Sequence, residues 1–236
     1  MTYAFDKVLE NVRKGRPTLV FDSKGREGET DIVVPSQFVT PEIVKIMRRE
    51  GGGLICTTLK YEDAKKLGLG YITDIYSGSG IKVFEYLKPD DIPYDEKSAF
   101  SITINHRKTF TGIPDRDRSL TIKEFAKLLG RVHGLSGNLA VKEFGKWFRA
   151  PGHVHLLIAR RGLLGERQGH TELSTALMVM SGVTPSATIV EMLDDNGYSL
   201  GYEKAKKYAT DHGYEFVEGK QIKRWWGAIS RKRGAH

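Results

Sequence analysis

The chain has 236 residues, 39% of them hydrophobic and 28% charged, with a formal net charge of +8. This is the composition of a globular chain with a substantial core, which argues against disorder, and no apolar run reaches the roughly 18–20 residues that span a bilayer. The charge invites a nucleic-acid reading, but Lys220, Lys223, Arg224, Arg231, Lys232 and Arg233 sit in an acid-free end beginning at Gly219, so the body ahead of it is nearly neutral.

In chain order, apolar runs suited to buried strands fall at 18–22, 31–35, 53–59, 100–105, 154–159 and 187–193. Several are continuous rather than alternating, as expected for strands covered on both faces. Thr40-Pro41-Glu42 predicts a helix start. Thr121 with Glu124 predicts a capping box opening a further helix, and 129–142, with three glycines, reads as a surface excursion. Helices are expected over 171–183 and Tyr202–His212, the latter stopped by Gly213. Interleaved strands and helices predict an α/β (α+β) sandwich, a mixed sheet flanked by helices in one domain. We expect a catalytic body over 1–218 and a basic helix or tail over 219–236, packed on it or extending from it.

The N-terminus carries no signal-peptide core, so a cytoplasmic location is expected. The single cysteine, Cys56, excludes an internal disulfide and a zinc site built on several thiolates. A metal would need His and carboxylate ligands, which suits hard ions such as Mg2+ or Mn2+.

Between the first two strands lies Asp22-Ser-Lys-Gly-Arg-Glu-Gly-Glu-Thr-Asp31. Extended backbone would set Glu27, Glu29 and Asp31 on one face, where they repel unless a cation or Arg26 intervenes; a solvated turn is the plainer alternative. Arg167-Gln-Gly-His-Thr171 opens a helix, and free N–H groups, Gly169, Thr171 and Arg167 outline an anion site. His170 stands at that mouth. His153 precedes an apolar strand, where it suits proton transfer only if partners converge. Glu191 lies in an otherwise buried strand and so needs a partner or an open strand end. Thr109-Phe-Thr-Gly112 offers hydroxyls near backbone. Cys56 reads as a small packed hydrophobe.

Taken together, Arg26-Glu-Gly-Glu-Thr-Asp31, Gly52-Gly-Leu-Ile-Cys56, Phe110-Thr-Gly-Ile113, Arg149-Ala-Pro-Gly-His-Val154, Arg167-Gln-Gly-His-Thr-Glu172 and Glu191 with Asp194-Asp-Asn-Gly197 resemble the 3,4-dihydroxy-2-butanone 4-phosphate synthase family. The motifs come in the family's order over roughly residues 5–218. Lys24 and Gly25, in place of acids, make the first loop similar to the archaeal form. The resemblance implies a monofunctional lyase of riboflavin biosynthesis. It would convert ribulose 5-phosphate to 3,4-dihydroxy-2-butanone 4-phosphate and formate, through a metal-stabilised enediolate, dehydration and skeletal rearrangement. It also implies a homodimer with sites at or near the subunit interface, and two Mg2+ (or Mn2+) ions per site.

By that resemblance Glu27 and His170 bind metal. Arg167, Gly169 and Thr171 grip the substrate, chiefly its phosphate, with Thr111 helping. Arg26 and Asp31 contact its sugar end, and Glu27, Gln168, His170 and Glu191 also contact substrate. Asp31 is the candidate base at carbon 1, His153 and Glu191 form the essential catalytic pair, and Glu29 and Cys56 support. A pentulose-phosphate isomerase would need similar groups but would conserve all five carbons. The basic end, with Trp225 and Trp226, suits either base stacking or an amphipathic helix packed on the body; the second reading, without a nucleic-acid or membrane partner, is the one expected.

Overall fold

The computed structural model describes residues 3–93, 95 and 97–233; residues 234–236 of the expected C-terminal element lie outside these. The elements are α1 (Tyr3–Arg13), β1 (Thr18–Phe21), β2 (Thr30–Pro35), α2 (Pro41–Ile46), β3 (Cys56–Leu59), α3 (Tyr61–Lys66), α4 (Ile72–Gly78), β4 (Phe100–His106), α5 (Asp115–Arg131), α6 (Gly137–Trp147), β5 (Phe148–Ile158), α7 (His170–Ser181), β6 (Ala187–Glu191), α8 (Tyr202–His212), β7 (Glu215–Glu218) and α9 (Gly219–Arg233). Seven strands form one sheet in the order β4-β5-β3-β6-β2-β1-β7. The pairs β1–β7 and β3–β5 are parallel and the rest antiparallel, so the sheet is mixed.

Strand alternation divides the core in two. Leu19, Ile32 and Val34 face one layer with Val44, Ala64, Phe125, Ala140 and Ala205 from α2, α3, α5, α6 and α8. Val20, Val33, Cys56 and Ile189 face the other, with Phe5, Leu173, Ala176, Ile222 and Trp225 from α1, α7 and α9. Both sheet faces are therefore covered, which explains the continuous rather than alternating hydrophobicity of β1 and β2.

Two expectations are corrected and one alternative is decided. The capping-box start at Thr121 is not a helix start: α5 already begins at Asp115, and Thr121 lies in its interior. Its hydroxyl donates to the Asp117 carbonyl at 3.0 Å and accepts the His106 N–H at 2.9 Å, so it ties α5 to β4 rather than capping. The 129–142 stretch is not a surface excursion. Leu129, Val132 and Ala140 are buried, and a new helix opens at Ser136, whose side chain accepts from Leu139 N–H. Of the two readings of the acidic segment, the turn is the one adopted: residues 22–29 make a hairpin connection with Gly28 at φ +70°.

Helix α9 lies along α1 and α7. Ile222 is fully buried, and the Trp225 ring meets Phe5 with centroids 4.7 Å apart. The basic side chains Lys220 and Lys223 reach back to Glu218 and Gln168. Trp225→Ala should cost about 3–5 kcal/mol by removing a large buried ring. Denaturant unfolding should show the loss as a lower midpoint with an unchanged slope; an unshifted midpoint would contradict the packing described.

Candidate active site

Register places the chemistry. Asp31 of β2 is directly opposite Glu191 of β6, and both share the parity of Val33 and Ile189, so their side chains emerge on the α7 side. The N-terminus of α7 points at the same place, with Gly169 as its N-cap and His170 and Thr171 in its first turn. The β1–β2 turn adds Arg26, Glu27 and Glu29. The result is a cavity of about 420 Å³ lined by Arg26, Glu27, Glu29, Asp31, Cys56, Asp95, Arg167, His170, Thr171 and Glu191, with apolar side chains closing one wall.

The acidic end is densely wired. The Asp22 carboxylate accepts the Glu27 and Glu29 N–H groups at 3.1 Å each and so shapes the turn. His170 Nδ1 lies 3.1 Å from Glu27 Oε2, and its Nε2 lies 3.6 Å from Asp31 Oδ1. Those last two atoms are buried and have no hydrogen-bond partner among the described residues. Burial drives the Asp31 carboxyl up to about 8; His170 opposes this, while Glu191, Glu27 and Glu29 add to it. Burial works against a charged His170, but Asp31 and Glu27 outweigh it and raise the imidazole to about 9. Burial also raises Glu27, yet the hydrogen bond and charge of His170, with Arg26 and Arg167, bring it below the usual carboxylate range.

Asp22, Glu27 and His170 each present a ligand atom within 4.8 Å of the others. Three oxygen- and nitrogen-bearing groups of net negative charge, beside two bare buried atoms, fit a hard divalent cation.

Glu191 is fixed at the opposite wall. Its Oε2 accepts the Leu54 N–H at 2.8 Å, and a Cβ at residue 53 would lie 2.3 Å from that oxygen, so only glycine fits at Gly53. Cys56 lies on the same wall at 2% exposure. Burial, with Glu191 and Asp31 nearby, pushes its thiol well above its ordinary value, so it remains a neutral packing group. Glu29 is bonded by the Ser199 hydroxyl, which ties the turn to the segment after β6.

The basic end is formed by two arginines. A Cβ at Gly169 would lie 2.4 Å from Arg167 Nη1 and 2.5 Å from Arg26 Nη1, so both guanidinium groups pack over the start of α7. Arg167 is oriented by Glu172, fully buried, whose Oε2 accepts from Nη1 at 2.6 Å and whose Oε1 accepts the Arg160 N–H at 3.0 Å. Gln168 is not in this cavity; it lines an adjoining outer hollow and accepts from Lys223 Nζ at 2.8 Å.

Two residues expected at the site lie elsewhere in the same chain. His153 and Thr111 are exposed and meet at Asn105, away from the cavity walls. Asn105 Nδ2 lies 3.1 Å from His153 Nδ1 and donates to the Thr111 carbonyl at 3.3 Å, while Asn105 Oδ1 accepts the His153 N–H at 2.9 Å. The sequence reading left Asp22, Asp95, Asn105 and Glu172 unassigned. Asp22 and Glu172 lie within segments already singled out; Asp95 and Asn105 carry no motif.

Comparison with known proteins agrees with this architecture. The profile of the 3,4-dihydroxy-2-butanone 4-phosphate synthase family matches residues 6–225. The curated 3,4-dihydroxy-2-butanone 4-phosphate synthase of Methanothermobacter thermautotrophicus is 48% identical over 219 residues, covering 92% of this chain and 93% of the relative. That of Archaeoglobus fulgidus is 44% identical over 226 residues, covering 94% and 93%. A solved 3,4-dihydroxy-2-butanone 4-phosphate synthase in complex with two magnesium ions superimposes with a TM-score of 0.74 at 23% identity, covering 99% of each chain, and so shares the fold. With residues 6–225 matched by the family profile and relatives 44–48% identical over more than nine-tenths of its length, the chain belongs to the 3,4-dihydroxy-2-butanone 4-phosphate synthase family.

Proposed function

We propose that this protein converts D-ribulose 5-phosphate to L-3,4-dihydroxy-2-butanone 4-phosphate and formate, a step of riboflavin biosynthesis. The two products together hold all the atoms of the substrate, so no oxidant or second substrate is needed. The observation that carries the reading is the convergence of an acidic cluster and an arginine pair on one cavity of about 420 Å³. A phosphorylated pentulose needs both ends: an anchor for its phosphate and proton-transfer groups at its carbonyl.

Arg26, Arg167 and the start of α7, with Gly169 and Thr171, hold the phosphate. Glu27 and His170, with Asp22 beside them, hold divalent cation, two Mg2+ or Mn2+ ions in this reading. Bound there, the cation would stabilise negative charge on the sugar oxygens. Asp31, buried beside His170 and opposite Glu191, is the base suited to take the proton from carbon 1. Glu191, held by the Leu54 N–H, moves protons during dehydration, rearrangement and formate release.

His153 completes the catalytic pair from a second copy of the chain. It stands beside β4, an edge strand, with Phe110 94% exposed and Ile113 50% exposed on the neighbouring loop. Arg149 donates to the Thr109 and Phe110 carbonyls at 3.1 Å each, which ties that loop to β5. An unpaired edge strand and a nearby apolar loop suit a homodimer contact. No helix among the described residues is long and apolar enough to cross a membrane, and we place the enzyme in the cytoplasm, acting without nucleic acid.

The test is formate release from ribulose 5-phosphate. One formate per substrate with Mg2+, and none with EDTA, is the expected result. A five-carbon ketose or aldose phosphate as the product would point instead to an isomerase.

A further inference from the structure

The loop before β4 puts a carboxylate into the anion site. Asp95 Oδ2 accepts from Arg26 Nη2 at 3.0 Å, and the same oxygen accepts from Arg167 Nε. Its side chain is 10% exposed, enclosed where the main cavity meets the outer hollow, and it lines both. One oxygen bridging two guanidinium groups over a helix N-terminus is the arrangement a phosphoryl oxygen would adopt there.

The other carboxylates near these arginines belong to the frame. Glu172 is fully buried in α7, and Glu27 belongs to the turn shaped by Asp22. Asp95 instead comes from a long connection between α4 and β4. That connection exposes Val83, Tyr86 and Leu87 at 51, 77 and 63%, so few apolar contacts hold it down. Its ion pairs with the two arginines tie it to the body.

We propose that Asp95 is a specificity-determining residue: its carboxylate occupies the substrate's phosphate position, and only an anion able to engage both Arg26 and Arg167 displaces it. This rests on the reading that the arginine pair takes the phosphate. A two-state competition follows, in which anion affinity is reduced by the fraction of molecules with Asp95 in place. A neutral sugar would have nothing to exchange for the ion pairs.

The test is equilibrium binding of inorganic phosphate to the Mg2+-loaded protein, by calorimetry. Asp95→Asn removes the competing charge and keeps the side chain's size, so it should bind phosphate about five- to tenfold more tightly than the parent. Arg167→Met should abolish binding. Arg26→Gln, which leaves the Arg167–Glu172 pair intact, replaces it if Arg167→Met fails to fold. Affinity in Asp95→Asn equal to or weaker than the parent's, with binding still lost in the arginine variant, would overturn the role of Asp95 while sparing the phosphate anchor. Unchanged binding in the arginine variant would remove the anchor reading and the proposal together.

Discussion

His170→Ala releases no formate from ribulose 5-phosphate at any Mg2+ or Mn2+ concentration, a loss of at least about a thousandfold; this is the largest effect expected of a single substitution here. The imidazole lies between Glu27, 3.1 Å from one nitrogen, and Asp31, 3.6 Å from the other. In the proposed assignment, removing it takes away a cation ligand; it also leaves buried carboxylates facing one another without a counter-charge. Loss of one preorganised electrostatic group alone costs about 10²–10³ in turnover, and here metal affinity falls with it. Glu27→Ala should behave alike. Titration with Mn2+ followed by electron paramagnetic resonance separates the causes: both variants should bind fewer ions than the parent. Full Mn2+ binding together with normal turnover in either one would contradict the ligand assignment.

The second large effect is a recovery. His153→Ser and Glu191→Gln should each be inactive alone if the proposed proton-transfer pair is right, since each removes one of its members. The fold keeps the two residues apart within one chain: Glu191 is at the cavity and His153 is held by Asn105 on an exposed edge. If His153 serves the cavity of a second copy, mixing the two variants through a refolding or co-expression step regenerates one intact site in each mixed dimer. Random pairing makes half the dimers mixed, each with one of two sites intact, so activity should return to about a quarter of the parent's. No recovery despite demonstrated mixed dimers would mean that both residues act within one chain.

The strands were legible because burial on both faces gives uninterrupted runs such as Thr-Asp-Ile-Val-Val-Pro in β2. The short edge strand β7, Glu-Phe-Val-Glu, was missed, because four residues with a glutamate at each end carry no run to read and its pairing with β1 is wholly non-local. The Thr121–Glu124 pattern misled because a hydroxyl and an acid three apart can equally serve a helix interior, where Thr121 bonds β4 instead. At the site, Glu27, Asp31, Arg167, His170 and Glu191 stood in recognisable motifs, and the sheet register brings them together. Asp95 could not be found that way: its place depends on the path of a long connection, not on spacing. His153 and Thr111 show a different limit. Their motifs suggest a role in catalysis, yet the fold holds both at Asn105 on an exposed edge, away from the cavity walls.

The most direct measurement is carbon-13 NMR of the product formed from ribulose 5-phosphate labelled at carbon 4, with Mg2+ present and again with EDTA. The account predicts that the label appears in formate, that the remaining product has four carbons, and that neither forms without the cation. Label retained in a five-carbon phosphate, or formate released at the same rate in EDTA, would contradict it.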